Sequence, residues 1–440
     1  MAQSPVAVPR TGAKILWTAI AVAAAFGAYF CMYAFRKPFT AAAFAEPVVF
    51  GIDFKTILVT AQVFGYMLSK FIGIKVVAEM PPGRRAWAIL VLIGLAQTAL
   101  LLFGLIPAPW SAVCLFLNGL PLGMVFGLVL GFLEGRRTTE FLTAGLCASF
   151  ILADGVMKSV GTRLLDWGYA PEWMPFWAGL FVSPFLVLCV MTLMVIPTPT
   201  QDEVADRGER ATMDAQDRRG MLLRYAAGLS VLVGVYLLVT IVRSIRADFA
   251  PELWRGLGAS SVVAETYTYS EFWVMLGVVA ACGATVLLRD NRFAFFASLA
   301  TCGIGFVLIT IALIGLAVDF VEPFTFMVLV GLGLYLPYVA IHTTVFERLL
   351  AMTRDRGTIC FLMSVADAFG YLGYAAVMLG KQLVVSRTDI LGYFIGAAWI
   401  ASIGGMCGLI FVWQYFARRA STMEAAPPPA AETRFMEAKP

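Results

Sequence analysis

Arg36 and Arg243 each lie in a long apolar run, and each follows tyrosine at helical spacing. Tyr29, Tyr33 and Arg36 stand at i, i+4 and i+7, and Tyr236 and Arg243 at i and i+7. On a helix such positions form one stripe. Arginine stays protonated and grips a carboxylate or phosphate through a planar fork of donors. Two of them converging on one space describe a site for an anion, and a dianion better than a monoanion. Lys70, four residues after Tyr66, adds a third cation. Acids intrude as well. Asp154 and Lys158 are i, i+4, and Asp367, Tyr371 and Tyr374 are i, i+4, i+7. These two carboxyls either balance the cations or carry a proton. His342, the single histidine, follows Tyr335 by seven residues, and its role is open between structure, substrate and proton. Lys37 lies about 100° around a helix from Arg36 and is expected to turn away into a structural ion pair.

A charge at the centre of a bilayer costs about 2.5–3.5 kcal/mol even on the lenient insertion scale. Arg36, Lys37, Lys70, Asp154, Lys158, Arg243 and Asp367 must therefore face a wet cavity or one another. Nothing here resembles a catalytic set. The eight cysteines are single and embedded in apolar stretches, so no metal site, disulfide framework or cofactor is expected.

The elements that must hold these residues are membrane helices. The 440 residues are 60% hydrophobic and 14% charged, with mean hydropathy +0.84. A soluble domain is nearer 25% charged. The net charge of +4 resides in short loops and speaks to orientation, not to nucleic acid. Twelve apolar segments stand out, at 15–44, 54–78, 86–106, 110–133, 141–165, 173–196, 222–250, 265–288, 293–318, 322–347, 357–383 and 390–416. Residues 1–14 then form a cytoplasmic start, 15–196 one six-helix half, and 197–221 a charged cytoplasmic linker. Residues 222–416 form a second half, and 417–440 a Pro- and Ala-rich disordered tail. Alternate loops carry Arg84 and Arg85, Arg136 and Arg137, Arg289 and Arg292, Arg354 and Arg356, and Arg418 and Arg419. By the positive-inside rule both termini are cytoplasmic.

The halves repeat. Gly27-Ala-Tyr29 with Arg36 returns 207 positions later as Gly234-Val-Tyr236 with Arg243. Ala153-Asp154 returns 213 positions later as Ala366-Asp367, and Glu134 as Glu347. Same-orientation halves describe the major facilitator architecture. Glu134, Arg136 and Arg137, with Glu347 and Arg348, fall at cytoplasmic helix ends and are candidates for gating salt bridges.

Five stretches resemble the organophosphate:phosphate antiporters of the major facilitator superfamily, the family of the glycerol-phosphate and hexose-phosphate transporters. They are Tyr29-Phe-Cys-Met-Tyr33-Ala-Phe-Arg36-Lys37-Pro-Phe39, Tyr66-Met-Leu-Ser69-Lys70-Phe71, Arg243 eight residues before Pro251, Tyr335-Leu-Pro337, and Phe369-Gly-Tyr371-Leu-Gly373. The resemblance implies alternating access, a phosphate clamped by Arg36 and Arg243, and a site shaped by Lys70, Tyr29, Tyr33, Tyr66, Tyr335 and Tyr371. Two residues depart from that family: Asp154 stands where it places a histidine, and Asp367 is foreign to it. The expectation is an all-α, twelve-helix secondary transporter of a small phosphorylated or polycarboxylate anion. It would sit in a bacterial-type inner membrane as a monomer, with protons or inorganic phosphate as coupling ion. Alternatives are a proton symporter of a zwitterionic or metal-chelating carboxylate, and a membrane ligand sensor that transports nothing.

Overall fold

The computed structural model describes residues 11–44, 52–133, 139–196, 215–259, 263–288, 290–353, 359–384 and 389–424. Every one of the twelve apolar segments is helical. In order they are α1 (Thr11–Met32), α2 (Phe54–Glu79), α3 (Pro82–Leu105), α4 (Ser111–Leu133), α5 (Thr139–Asp166), α6 (Met174–Val195), α7 (Ala226–Asp248), α8 (Ala264–Val286), α9 (Asn291–Ala317), α10 (Pro323–Ala340), α11 (Ile359–Val384) and α12 (Ile390–Glu424). Short helices cover Ala215–Arg224 and Ala250–Gly256. The end of the expected linker is thus helical, and α12 continues past residue 416, where a tail was expected.

Among the described residues, ten of these helices are long and apolar enough to cross a membrane. The two outside that set, α5 and α8, are long enough but carry Asp154, Lys158 and Arg163, and Glu265 and Glu271. They pack on each other and bury Asp154, Lys158 and Glu271, while Arg163 and Glu265 pair at a partly exposed end. Close approach is built in: a methyl on Gly155 of α5 would strike the carbonyl oxygen of Tyr267 on α8. Likewise α2 and α4 meet backbone to backbone, because Gly119 abuts the carbonyl of Gln62.

Helices α1 to α6 pack chiefly among themselves, as do α7 to α12, and the two groups are joined by α5 against α8 and α2 against α11. With a repeat that equates α2 with α8 and α5 with α11, these are one interface used twice. Burial separates wall from centre. The span Met174–Val195 is 28% buried, whereas Pro323–Met352 is 72% buried. Trp87, Phe185, Leu188, Phe293 and Ile400 lie exposed on the outside, as a lipid-facing wall requires.

Two helices break near the centre. After Met32 the first segment tightens into a 3-10 turn at Tyr33–Phe35, followed by a second at Pro38–Ala41, so residues 15–44 are not one helix. Beyond Ala340 the tenth segment widens into a π-helical turn over Ile341–Val345 before continuing as Phe346–Thr353. Such turns concentrate at functional sites, and this one holds His342.

Candidate functional site

The turn after α1 is the element that aims Arg36. The amides of Arg36 and Lys37 both donate to the Tyr33 carbonyl, at 3.0 and 2.9 Å. The change of helix type frees carbonyls, and neighbouring helices satisfy them. Asn118 of α4 donates to Phe35 at 3.1 Å, and Gln62 of α2 donates to Arg36 at 3.2 Å. Gln62 also donates to Asn118 at 2.8 Å. The turn is thus pinned from two helices, and it sends consecutive side chains different ways.

Arg36 lays its guanidinium over Tyr66, 4.0 Å from the ring centre, with Tyr371 and Tyr33 at 5.8 and 5.9 Å. Arg243 lies over Tyr338 at 4.3 Å, with Tyr335 at 5.7 Å. A guanidinium held by its face keeps its in-plane N–H donors for a ligand. Arg243 Nε is buried with no hydrogen-bond partner. Among the described residues neither arginine has a carboxylate oxygen within 4.0 Å. Both are about 5% exposed, so each is a buried cation whose nearest neighbours are aromatic faces, and Arg243 Nη2 also donates to Ser244 Oγ at 3.4 Å.

The other central cations are all paired. Lys37 turns away from Arg36, as its position one residue on predicts, and bridges Asp248 at 2.5 Å and Asp154 at 3.3 Å. Lys158 also holds Asp154. Asp248 accepts from the Tyr374 hydroxyl at 2.9 Å. Arg246 pairs with Glu271 at 2.6 Å. Lys70, read from sequence as an open anion ligand, instead contacts Asp367 at 2.9 Å from the opposite half. Asp367 accepts from Tyr236 at 2.5 Å and has His342 Nε2 at 3.5 Å.

A small cavity of about 20 Å³ lies between the halves. One side is aromatic, formed by Tyr29, Tyr33, Tyr66, Phe126, Phe150 and Tyr338, and the other is ionic, formed by Lys70, Asp367 and His342 beside Tyr371. The structure therefore gathers most of the predicted set on one surface, with four departures, one being Tyr335, which stands beside Arg243 and does not line the cavity. Arg36 and Arg243 sit behind the ring layer and do not line the cavity. Tyr236 reaches it through Asp367 and by packing on Tyr338 and His342, with ring centres 5.1 and 5.2 Å apart. Asp154 and Lys158 belong to the separate network around Lys37. Of the gating candidates, Glu134, Arg136 and Arg137 lie outside the described residues. Glu347 and Arg348 follow the π turn, and Arg348 donates to Asn291 of α9 at 2.7 Å.

Several residues escape a sequence reading. Tyr338, which cradles Arg243, stands three residues after Tyr335 and continues its stripe, the one signal available. Asp248, Lys55, Glu252, Arg163 and Glu265 lie near helix ends, where charge is ordinarily solvated. Here Lys55–Glu252 at 2.7 Å, Arg163–Glu265 and Lys37–Asp248 tie the two groups of helices together. They do so at the end of the bundle where α1, α5 and α7 finish and α2 and α8 begin.

A profile of the family described as "Family of unknown function (DUF5690)" matches residues 38–419, and the chain belongs to that family. No curated protein matches the sequence. Among solved structures, a D-xylose-proton symporter is similar with TM-score 0.60 and 13% identity, over 90% of this chain and 96% of that one. A proton:xylose symporter of the major facilitator superfamily, bound to 6-bromo-6-deoxy-D-glucose, is similar with TM-score 0.61 and 13% identity, over 91% and 95%. The fold is that of the major facilitator superfamily.

Proposed function

We propose that this DUF5690 member is a secondary active transporter of a small organic anion bearing a phosphate or more than one carboxylate, working by alternating access with both termini in the cytoplasm. One observation carries the reading. Arg36 and Arg243 are buried and related by the internal repeat, and among the described residues they are the two central cations with no carboxylate oxygen within 4.0 Å, whereas Lys37, Lys70, Lys158 and Arg246 each have one. A buried charge left without a counter-ion is expensive, and a dianion supplies what is missing to both arginines at once. On this reading Tyr66 and Tyr338, which cover the two arginines, swing aside for the fork donors to be reached. The aromatic side of the cavity then holds the substrate's body.

The similar solved proteins move xylose with protons, and a neutral sugar is the second reading. Asp367 on the cavity surface favours it, since a carboxylate suits sugar hydroxyls. The two uncompensated arginines weigh against it, because a neutral solute leaves them as they are. The test is a thermal-shift screen of purified protein with glycerol 3-phosphate, succinate, lactate and xylose. A ligand stabilises the state it binds. The dianions should raise the unfolding temperature, lactate less, and xylose not at all. Stabilisation by xylose alone would replace the anion reading with the sugar one.

A further inference from the structure

The two acids related by the repeat are not equivalent in their surroundings. Asp154 is held between Lys158 and Lys37, away from the cavity, and Lys37 is held in turn by Asp248. Asp367 forms part of the cavity surface. The groups facing it are Lys70 of α2, Tyr236 of α7, His342 on the π turn and Tyr371 on its own helix. Tyr338 of α10 and Cys147 of α5 complete the set. Lys70 is the one lysine or arginine of the cavity surface among the described residues. The cation that an entering anion meets first is therefore already occupied by the protein's own carboxylate. His342 Nδ1, beside it, is buried with no hydrogen-bond partner.

We propose that Asp367 holds on Lys70 the place of the substrate's oxyanion, that an arriving anion displaces it, and that Asp367 then takes up one proton, so that anion and proton are bound together. The inference rests on the anion reading given above. On displacement the Asp367 carboxylate loses an ammonium 2.9 Å away and gains an anionic neighbour in a poorly hydrated space. Both changes favour its neutral form. The proton comes from cavity water, with hydronium becoming water. It forms one O–H bond on Asp367. Lys70, Arg36 and Arg243 keep their charges throughout. Asp154 cannot act in the same way, because two lysines hold it and neither is reached from the cavity.

The experiment is calorimetric binding of glycerol 3-phosphate and of succinate to the purified full chain, in buffers of different ionisation enthalpy. It is run above about pH 7, where both probes are dianions. The wild type should take up about one proton per anion, and its Kd should rise about tenfold per pH unit. Asp367→Asn should still bind, with the proton uptake and the pH slope both gone. Tyr374→Phe, outside the cavity, should keep both. Anion binding by the wild type with no proton uptake overturns the inference and leaves the anion reading standing, as does a full slope in Asp367→Asn. If neither probe binds the wild type, the anion reading falls and this inference with it. Should Asp367→Asn not fold, the wild-type pH series decides alone.

Discussion

Asp154 and Asp367 occupy equivalent places in the two halves of the chain, yet one sits in a clamp and the other in a contact that a ligand can reach. Asp154 has two lysines and no cavity surface; Asp367 has one lysine, a histidine and a tyrosine, and lines the cavity. The difference shows how a duplicated fold can place one residue type in two unlike surroundings. The same buried acid is enclosed by two lysines in one half, and in the other it meets a lysine that lines the cavity.

The comparison breaks most readily at Asp154. Asp154→Asn leaves Lys158 uncompensated and Lys37 with Asp248 alone, and removing one member of a buried charge cluster costs about 3–5 kcal/mol. Thermal unfolding in detergent should show a larger loss for Asp154→Asn than for Asp367→Asn. Equal losses would dissolve the division between clamp and exchangeable contact. The arginines should behave in the opposite way. Arg36→Lys or Arg243→Lys keeps the charge but loses the fork, so anion affinity should fall by about 1.5–3 kcal/mol. The unfolding temperature should stay near that of the wild type, because no carboxylate partner is lost. A double-mutant cycle on Lys70→Gln and Asp367→Asn should give a coupling of about 1–2 kcal/mol without ligand, within the range for contacting residues. A saturating dianion should shrink that coupling, since it separates the pair. The smallest effect is Tyr374→Phe. It removes one hydrogen bond to Asp248 and should cost about 1 kcal/mol of stability, with anion affinity unchanged.

Much of this was legible in the sequence, for identifiable reasons. Apolar run length gives the helices, because a bilayer fixes the span. The matched Tyr and Arg positions gave the repeat. The angular step from Arg36 to Lys37 gave their divergence, although the cause is a pinned 3-10 turn and not a regular helix. What stayed hidden depends on partners far along the chain. The contact from Lys70 to Asp367 crosses 297 positions, and nothing local to either residue announces it. The positions of Asp248 and Glu252 read as solvated loop margins, because proximity to an apolar end says nothing about which cation arrives from the other half. Nor does spacing reveal that tyrosine rings would stand between the arginines and the cavity, since a stripe fixes direction and not depth.

The divergence of Arg36 and Lys37 has a mechanical meaning. Consecutive Cα atoms stay about 3.8 Å apart, so the turn cannot move one side chain's root without moving the other's. On the facing side Arg243 and Asp248 ride on one helix. The ion pair Lys37–Asp248 therefore joins the same two pieces of backbone that carry the two arginines. Distance across the centre and closure at the rim are one coordinate, and a spectroscopic ruler placed at either would read both.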